Sequence, residues 1–514
     1  MPNEEPEIER LPGRAASYWI ESAPGQEYPE AIADIRADVA VIGGGIAGLT
    51  AATLLKQAGK SVVVIEADRI ARDVTGHTTA KVTALHQLCY ADLIDRFGME
   101  RARQYADANR TAIELVEGMA AENGIDCDLV RRPSYTYAQS NHGRKRVLDE
   151  VDAATRLGLP VHFVEDLPLP IHSEGAIRMD NQAQFHPRKY LLGLARTIPG
   201  GGSAIYEQTR ALALTEGEPV AVKTTAGTVR ADDVIIATHW PFHDRPGLYY
   251  TRMYQSVSYV LGVVLETPFP DGMFISAEEP TRSLRSQPLG DGEGELVLVS
   301  GEEHRAGQGG DTRKYYRVLE RFIDALYPVR EYRYRWMTQD NITLDGVPYI
   351  GQLAHETPHV YVATGFKKWG MTHGTVAGRI LTDLIMGRPN PWTGVFDPLR
   401  FKPTASAREF VTQGANVTTQ LVTGLIRSEG HDPDRLRPGD GAILTIHSHK
   451  VAAYRDDAGV LHTLDPACQH MGCTVEWDPA EKAWACPCHG SRYRADGQVI
   501  HGPAVYSLKK KDLS

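Results

Sequence analysis

The chain has 514 residues, 42% of them hydrophobic and 23% charged, with a formal net charge of −10. That length suggests about three units at the usual ~150 residues per domain, and the composition excludes a disordered or fibrous class. The negative charge argues against a nucleic-acid partner, whose phosphates require a basic footprint. No apolar run approaches the ~18 residues that span a bilayer, so no transmembrane segment is expected. The opening residues are acidic and broken by prolines, with no basic n-region, so no secretory signal is read and a cytoplasmic location is the default.

In chain order, Asp38–Glu66 (DVAVIGGGIAGLTAATLLKQAGKSVVVIE) gives a β-branched run, a glycine turn, an apolar-periodic segment and a second β-branched run, which predicts a βαβ unit. Residues 183–198 predict a helix, and residues 220–240 predict strands joined by a hairpin turn at AGT. Residues 347–353 and 359–366 predict further strands, followed by a helix over 372–387 that ends on glycine. The stretch 388–404 carries four prolines and marks the edge of the large domain. A linker helix is expected at about 406–427, and from 431 short strands with turn signals predict a small all-β module. The division is therefore 1–400, a linker at 401–430, and 431–514. The basic end, SLKKKDLS, reads as a solvated tail.

Gly43, Gly45 and Gly48 follow the first strand and open a helix, and Glu66 ends the next strand. Glycines there permit a tight turn and close backbone approach to a pyrophosphate at the positive helix end, while the acid can accept bonds from a ribose hydroxyl. The plainer alternative is a tight βα turn with no ligand. Together with ADDVIIATHWP at 231–241, DGVPYIG at 345–351 and YVATGFKKWGMTHG at 361–374, this turn resembles the D-amino-acid oxidase-like (DAO) superfamily of FAD-dependent oxidoreductases over roughly residues 36–390. The resemblance implies a Rossmann-like FAD domain of the glutathione-reductase type with an inserted mixed α+β substrate domain. It also implies Gly365, Phe366, Gly370 and Met371 as FAD contacts. TGHTTAKVT at 75–83 lies where this family's chain passes the isoalloxazine. His77 resembles the histidine that carries covalent flavin in dimethylglycine dehydrogenase-like members. The Trp that precedes it there is replaced by Gly76, so a simple hydrogen bond is the alternative. Lys81 faces either the ring or solvent.

Four of the six cysteines fall in CQHMGC at 468–473 and CPCHGS at 486–491. Cys468-x-His470 and Cys486-x-x-His489 supply two thiolates and two imidazoles, the ligand set of a Rieske [2Fe–2S] cluster. Structural zinc also accepts Cys2His2, but it usually takes its ligands as a pair of cysteines and a pair of histidines rather than as mixed pairs. The two boxes resemble those of Rieske proteins in cytochrome bc complexes. That resemblance implies a Cys473–Cys488 disulfide, hydroxyls of Ser491 and Tyr493 bonded to cluster sulfurs, and a proline loop at 502–504. Rieske oxygenases carry a further mononuclear iron domain after this module, and only a short tail follows here. Cys89 and Cys127 read as buried thiols in helix-like contexts.

The sequence thus predicts a DAO-like flavoprotein joined to a Rieske module. A small substrate, an amine or amino acid, would give a hydride to FAD, and the cluster would pass electrons singly to an external acceptor protein or quinone. Two rivals stay open: an NAD(P)H-dependent reductase, although no second glycine turn occurs among 150–330, and a non-catalytic redox sensor. His239, Tyr254, Tyr259, Lys367 and His373 are polar groups beside the flavin motifs, and no catalytic base is identifiable.

Overall fold

The computed structural model of the chain describes residues 10–290, 292, 294–400, 403–426, 430 and 432–512. The strand Ile35–Ile42 reads as an unbroken apolar run because both its faces are buried. Val39 and Val41 enter one core, and Ala40 and Ile42 enter another. It pairs in parallel with Val62–Ile65 on one side and Thr228–Ile236 on the other, and these continue to Ala204–Tyr206 and Val360–Thr364, also in parallel. Tyr349–Gln352 closes one edge antiparallel. The predicted hairpin is present, with Val220–Thr224 antiparallel to Thr228–Ile236.

Two helices, Ile46–Gln57 and Gly370–Ile385, lie against this sheet and against each other. Their close approach needs glycine: a Cβ on Gly374 would lie 2.6 Å from Ile46 Cγ2, and one on Gly378 would lie 2.5 Å from Thr50 Cγ2. The helix expected over 183–198 begins only at Pro187, because Ala183 and Gln184 complete the strand Gly175–Gln184. Proline at the first helical position and the His186 ring, which accepts the Lys189 amide at 3.2 Å, set that start. Cys127, buried as expected, lies in a non-helical stretch beyond the helix Met99–Glu122.

A second, ten-stranded mixed sheet contains Met253–Leu265, Arg282–Pro288, Glu295–Arg305 and Val329–Thr343, and it faces the parallel sheet across the cavity described below. The helix Pro403–Ile426 follows; residues 401, 427 and 431, at the edges of the expected linker, lie outside the described residues. The C-terminal module consists of two small antiparallel sheets, of three and four strands. Its core gathers Trp484, Tyr493, Val475 and Leu464 around Cys468, Cys473, Cys486 and Cys488.

This module is seated on the large domain through buried polar bonds. Thr312 Oγ1 donates to Asp478 at 2.6 Å, Tyr316 OH to Glu481 at 2.7 Å, and Gln339 Nε2 to the Gly490 carbonyl at 2.7 Å. Each such bond contributes about 1 kcal/mol, and losing one partner leaves a buried group unpaired at about 1–3 kcal/mol. Gly490 has φ +81°, and a Cβ there would meet the Gln255 side chain, so the seat is also shaped for close backbone contact.

Candidate functional site

A cavity of about 840 Å³ runs between the two sheets, at the upper end of the range for small-molecule sites. Its inner end is the glycine turn. Gly43 has φ +110°, and a Cβ on Gly48 would lie 1.9 Å from the Gly43 carbonyl oxygen, so both positions exclude a side chain. Gly45 opens on the cavity, with no side-chain cap on the helix that follows. Glu66 accepts the Gly44 amide at 2.8 Å and the Asp68 amide at 2.9 Å. Burial still pushes its carboxyl up to about 7 against those bonds.

Further along, His77 Nδ1 donates to the Asp73 carbonyl at 2.8 Å and leaves Nε2 unengaged by that bond. Lys81 donates to the Phe274 carbonyl at 3.0 Å and to Ser283 Oγ. Burial, helped by Arg285, pushes the Lys81 ammonium down to about 7. Phe366, Gly370 and Met371 line the cavity where the second helix begins. Gly365 does not; its φ of +77° and a Cβ position 2.3 Å from Thr343 Cγ2 make it a packing glycine.

The large sheet adds a polar floor. Lys368 Nζ pairs with Glu303 at 2.6 Å and donates to Ser258 Oγ at 2.7 Å. Burial opposes ionisation of Glu303, but Lys368 and the Ser256 hydroxyl outweigh it and hold the carboxyl below its usual range. Asp340, beside them, is pushed up to about 6 by burial. Of the five polar groups named from sequence, His239, Tyr254 and Lys367 line the cavity. Tyr259 instead packs among His304, Tyr315 and Tyr316, and His373 is sealed between the Phe366 carbonyl and Tyr105 OH.

In the C-terminal module the two cysteine boxes form matching loops. Gly472 N donates to the Cys468 carbonyl and Gly490 N to the Cys486 carbonyl, each at 2.9 Å, and both glycines hold positive φ, near +80°. Cys473 and Cys488 form a disulfide that ties the loops together, with Cα atoms 6.5 Å apart. The Cys486 sulfur lies within 4.8 Å of both disulfide sulfurs. Those two sulfurs are bonded to each other, so the free thiols for a metal are Cys468 and Cys486. Tyr493 OH lies 3.1 Å from Cys468 Sγ. The His470 and His489 rings stand 5.0 Å apart. His470 Nε2 is engaged by Asp244 at 3.0 Å, while His489 Nδ1 is buried with no hydrogen-bond partner. An orphaned imidazole nitrogen on the two disulfide-tied loops that also carry two free thiols and a second imidazole fits a bound iron centre.

The FAD dependent oxidoreductase (DAO) family matches residues 38–384, and the Rieske [2Fe-2S] domain family matches residues 431–511. The chain belongs to the DAO family and carries a C-terminal Rieske domain. The chain is 38% identical over 498 residues to YhfW of Bacillus subtilis (strain 168), whose name describes a Rieske 2Fe-2S iron-sulfur protein; the match covers 97% of each chain. It is 24% identical to the gamma-glutamylputrescine oxidoreductase of Escherichia coli (strain K12), over 69% of this chain and 84% of that one. Glycine oxidase from Geobacillus kaustophilus shares the DAO fold with a TM-score of 0.61 at 19% identity, over 71% of this chain and 99% of that one.

The DAO domain implies FAD and the Rieske domain a [2Fe–2S] cluster. The open glycine turn and the orphaned imidazole show that the residues present suit both groups. No helix among the described residues is long and apolar enough to cross a membrane. Sequence reasoning missed Asp73, Asp244, Glu303, Asp340, Lys368 and His501. Lys368 lies within the YVATGFKKWGMTHG motif and His501 abuts the glycine-proline pair of the loop, so each had a local signal; Asp73, Asp244, Glu303 and Asp340 belong to no quoted motif and reach their sites only through tertiary packing.

Proposed function

We propose that this DAO-family protein is a dehydrogenase that oxidises a small amine or amino acid and passes the electrons from FAD through the Rieske cluster to an external one-electron acceptor. The observation that carries this reading is the shared wall: residues 500–505 of the Rieske domain line the same cavity as the Gly43 turn. The names of glycine oxidase and gamma-glutamylputrescine oxidoreductase, a carboxylated amine and an amine, support the substrate class.

When bound, FAD supplies hydride acceptance and the cluster single-electron storage. The chain's part is to orient and to exclude. Gly43, Gly45 and Glu66 would hold the dinucleotide, with Lys81, His77, Phe366, Gly370 and Met371 along its length. Cys468, Cys486, His470 and His489 would hold the cluster. Asp340 and the Glu303–Lys368 pair offer an ammonium group a negative floor beside a cation that can meet a carboxylate. Hydride removal requires the neutral amine, so an ammonium held on this floor first gives up a proton; the neutral amine then needs no further base.

The test is anaerobic mixing of the purified protein with a panel of amines, amino acids and NAD(P)H while the flavin absorbance is followed. Bleaching by an amine or amino acid is the expected result. Bleaching by NAD(P)H alone would replace this reading with that of a reductase, and no bleaching by any donor would favour a sensor.

A further inference from the structure

The Rieske loop that walls the cavity has two working faces. Towards the cavity it presents Ile500–Val505. Towards the cluster site, the amide of buried Ala504 donates to Ser491 Oγ at 3.1 Å, and the Ser491 carbonyl accepts the Cys486 amide at 2.8 Å. A single loop therefore separates the cavity from a cluster ligand by two hydrogen bonds.

His501 seats that loop. Its Nδ1 lies 2.9 Å from Asp73 Oδ2, and its Nε2 lies 3.0 Å from His239 Nδ1. Both contacts are at hydrogen-bonding distance, so the His501 ring bridges the Asp73 carboxylate and the His239 imidazole in a single chain. Asp73 and His239 themselves line the cavity, so the chain crosses from the flavin domain into the Rieske domain. His239 adopts φ +62°, an unusual backbone for a non-glycine residue. It is held there by its own carbonyl, which accepts Asn341 Nδ2 at 2.7 Å and Thr364 Oγ1 at 2.5 Å.

The imidazole edge of the cluster site faces the same way. His470 meets Asp244, and the His489 ring packs against Trp240 and Tyr250, each at 6.2 Å, with the residue 3% exposed.

We infer that the loop Ile500–Val505 is the electron-transfer contact between the flavin cavity and the cluster, and that His501, gripped by Asp73 and His239, is the residue that positions it. This rests on the flavin-to-cluster path proposed above. The balance is simple. Breaking the C–H bond beside a neutral amine nitrogen leaves an iminium and releases a hydride, that is, two electrons and a proton. The cluster takes one electron at a time, so the contact is crossed twice per substrate, two equivalents of a one-electron acceptor protein are reduced, and the proton leaves to solvent.

The experiment photoreduces the flavin of the holoprotein anaerobically with light and EDTA and follows cluster reduction by absorbance and electron paramagnetic resonance. It compares the wild type with His501→Ala and His501→Gln, after both cofactors are quantified and both midpoint potentials titrated. His501→Ala is expected to slow cluster reduction by about tenfold or more, the scale on which a lost positioning contact acts. His501→Gln, which can still bridge two partners, should recover part of the rate, and the potentials should not move. An unchanged rate in His501→Ala, or a slowing explained wholly by shifted potentials, overturns the role of the contact while leaving the path. A wild-type cluster that never takes electrons from the reduced flavin overturns both.

Discussion

All four proposed cluster ligands fall within residues 468–489, on two loops each closed by a glycine at positive φ, whereas the flavin cavity takes its wall from segments between Ile20 and Val505. The cluster site is a local construction. Its ligand spacing follows from loops that close on themselves, and the disulfide fixes one loop against the other. The cavity is a long-range construction whose inner end is a local βαβ turn but whose floor exists only once two sheets have packed. The cluster loops and the glycine turn are thus coded in short stretches, and the polar floor of the cavity is spread over distant strands.

The sharpest way to break this contrast is to remove one cluster ligand. His489→Ala should abolish the cluster, seen as loss of iron and labile sulfide, while FAD remains at full stoichiometry, because no ligand lines the cavity. Loss of both cofactors would mean that the two sites fold as one. Stoichiometric zinc without sulfide would sink the iron–sulfur assignment outright.

The converse substitution comes next. Gly48→Ala places a methyl group 1.9 Å from the Gly43 carbonyl oxygen, an overlap costing about 3 kcal/mol or more. The variant should purify without flavin and keep its cluster spectrum. Cys473→Ser opens a tie between positions 15 residues apart, worth about 3 kcal/mol in the chain-entropy picture. Thermal unfolding should show the Rieske domain melting earlier; an unmoved transition would mean that the two loops hold each other without the tie.

Smaller effects sharpen the floor of the cavity. The Asp340 carboxyl, raised to about 6 by burial, carries its charge above that pH and loses it as pH falls through it. The kcat/KM for an amine substrate should therefore decline below about pH 6. Asp340→Asn should remove that limb and lower the value above pH 6 about tenfold, the size of a lost charged hydrogen bond. An identical acid limb in the variant would place the titrating group elsewhere. Tyr493→Phe removes the hydroxyl 3.1 Å from Cys468 Sγ. A donor there stabilises the added negative charge on reduction, so the cluster potential should fall by about 60 mV, the one-electron equivalent of a tenfold change. Protein-film voltammetry reads this directly, and a potential that stays or rises would contradict the role given to the hydroxyl.

The sequence alone determined the βαβ turn, the Cys/His set and the order of the two domains, because each depends on neighbours a few residues apart: glycines where a Cβ cannot fit, and thiols and imidazoles on self-closing loops. The disulfide partners, Cys473 and Cys488, and the neighbours of Tyr493 were legible through resemblance for the same reason. Tyr259 and His373 show where reading stopped: proximity to a motif does not say which face of a strand or helix a side chain takes, and both turned into cores. The Asp340–Glu303–Lys368 floor and the Asp73–His501–His239 chain were decided by tertiary structure alone. Asp73 and His501 stand 428 positions apart, and no local propensity couples residues at that separation. They meet because buried polar bonds seat the Rieske domain on the flavin domain, and that docking puts the two redox sites on either side of one loop.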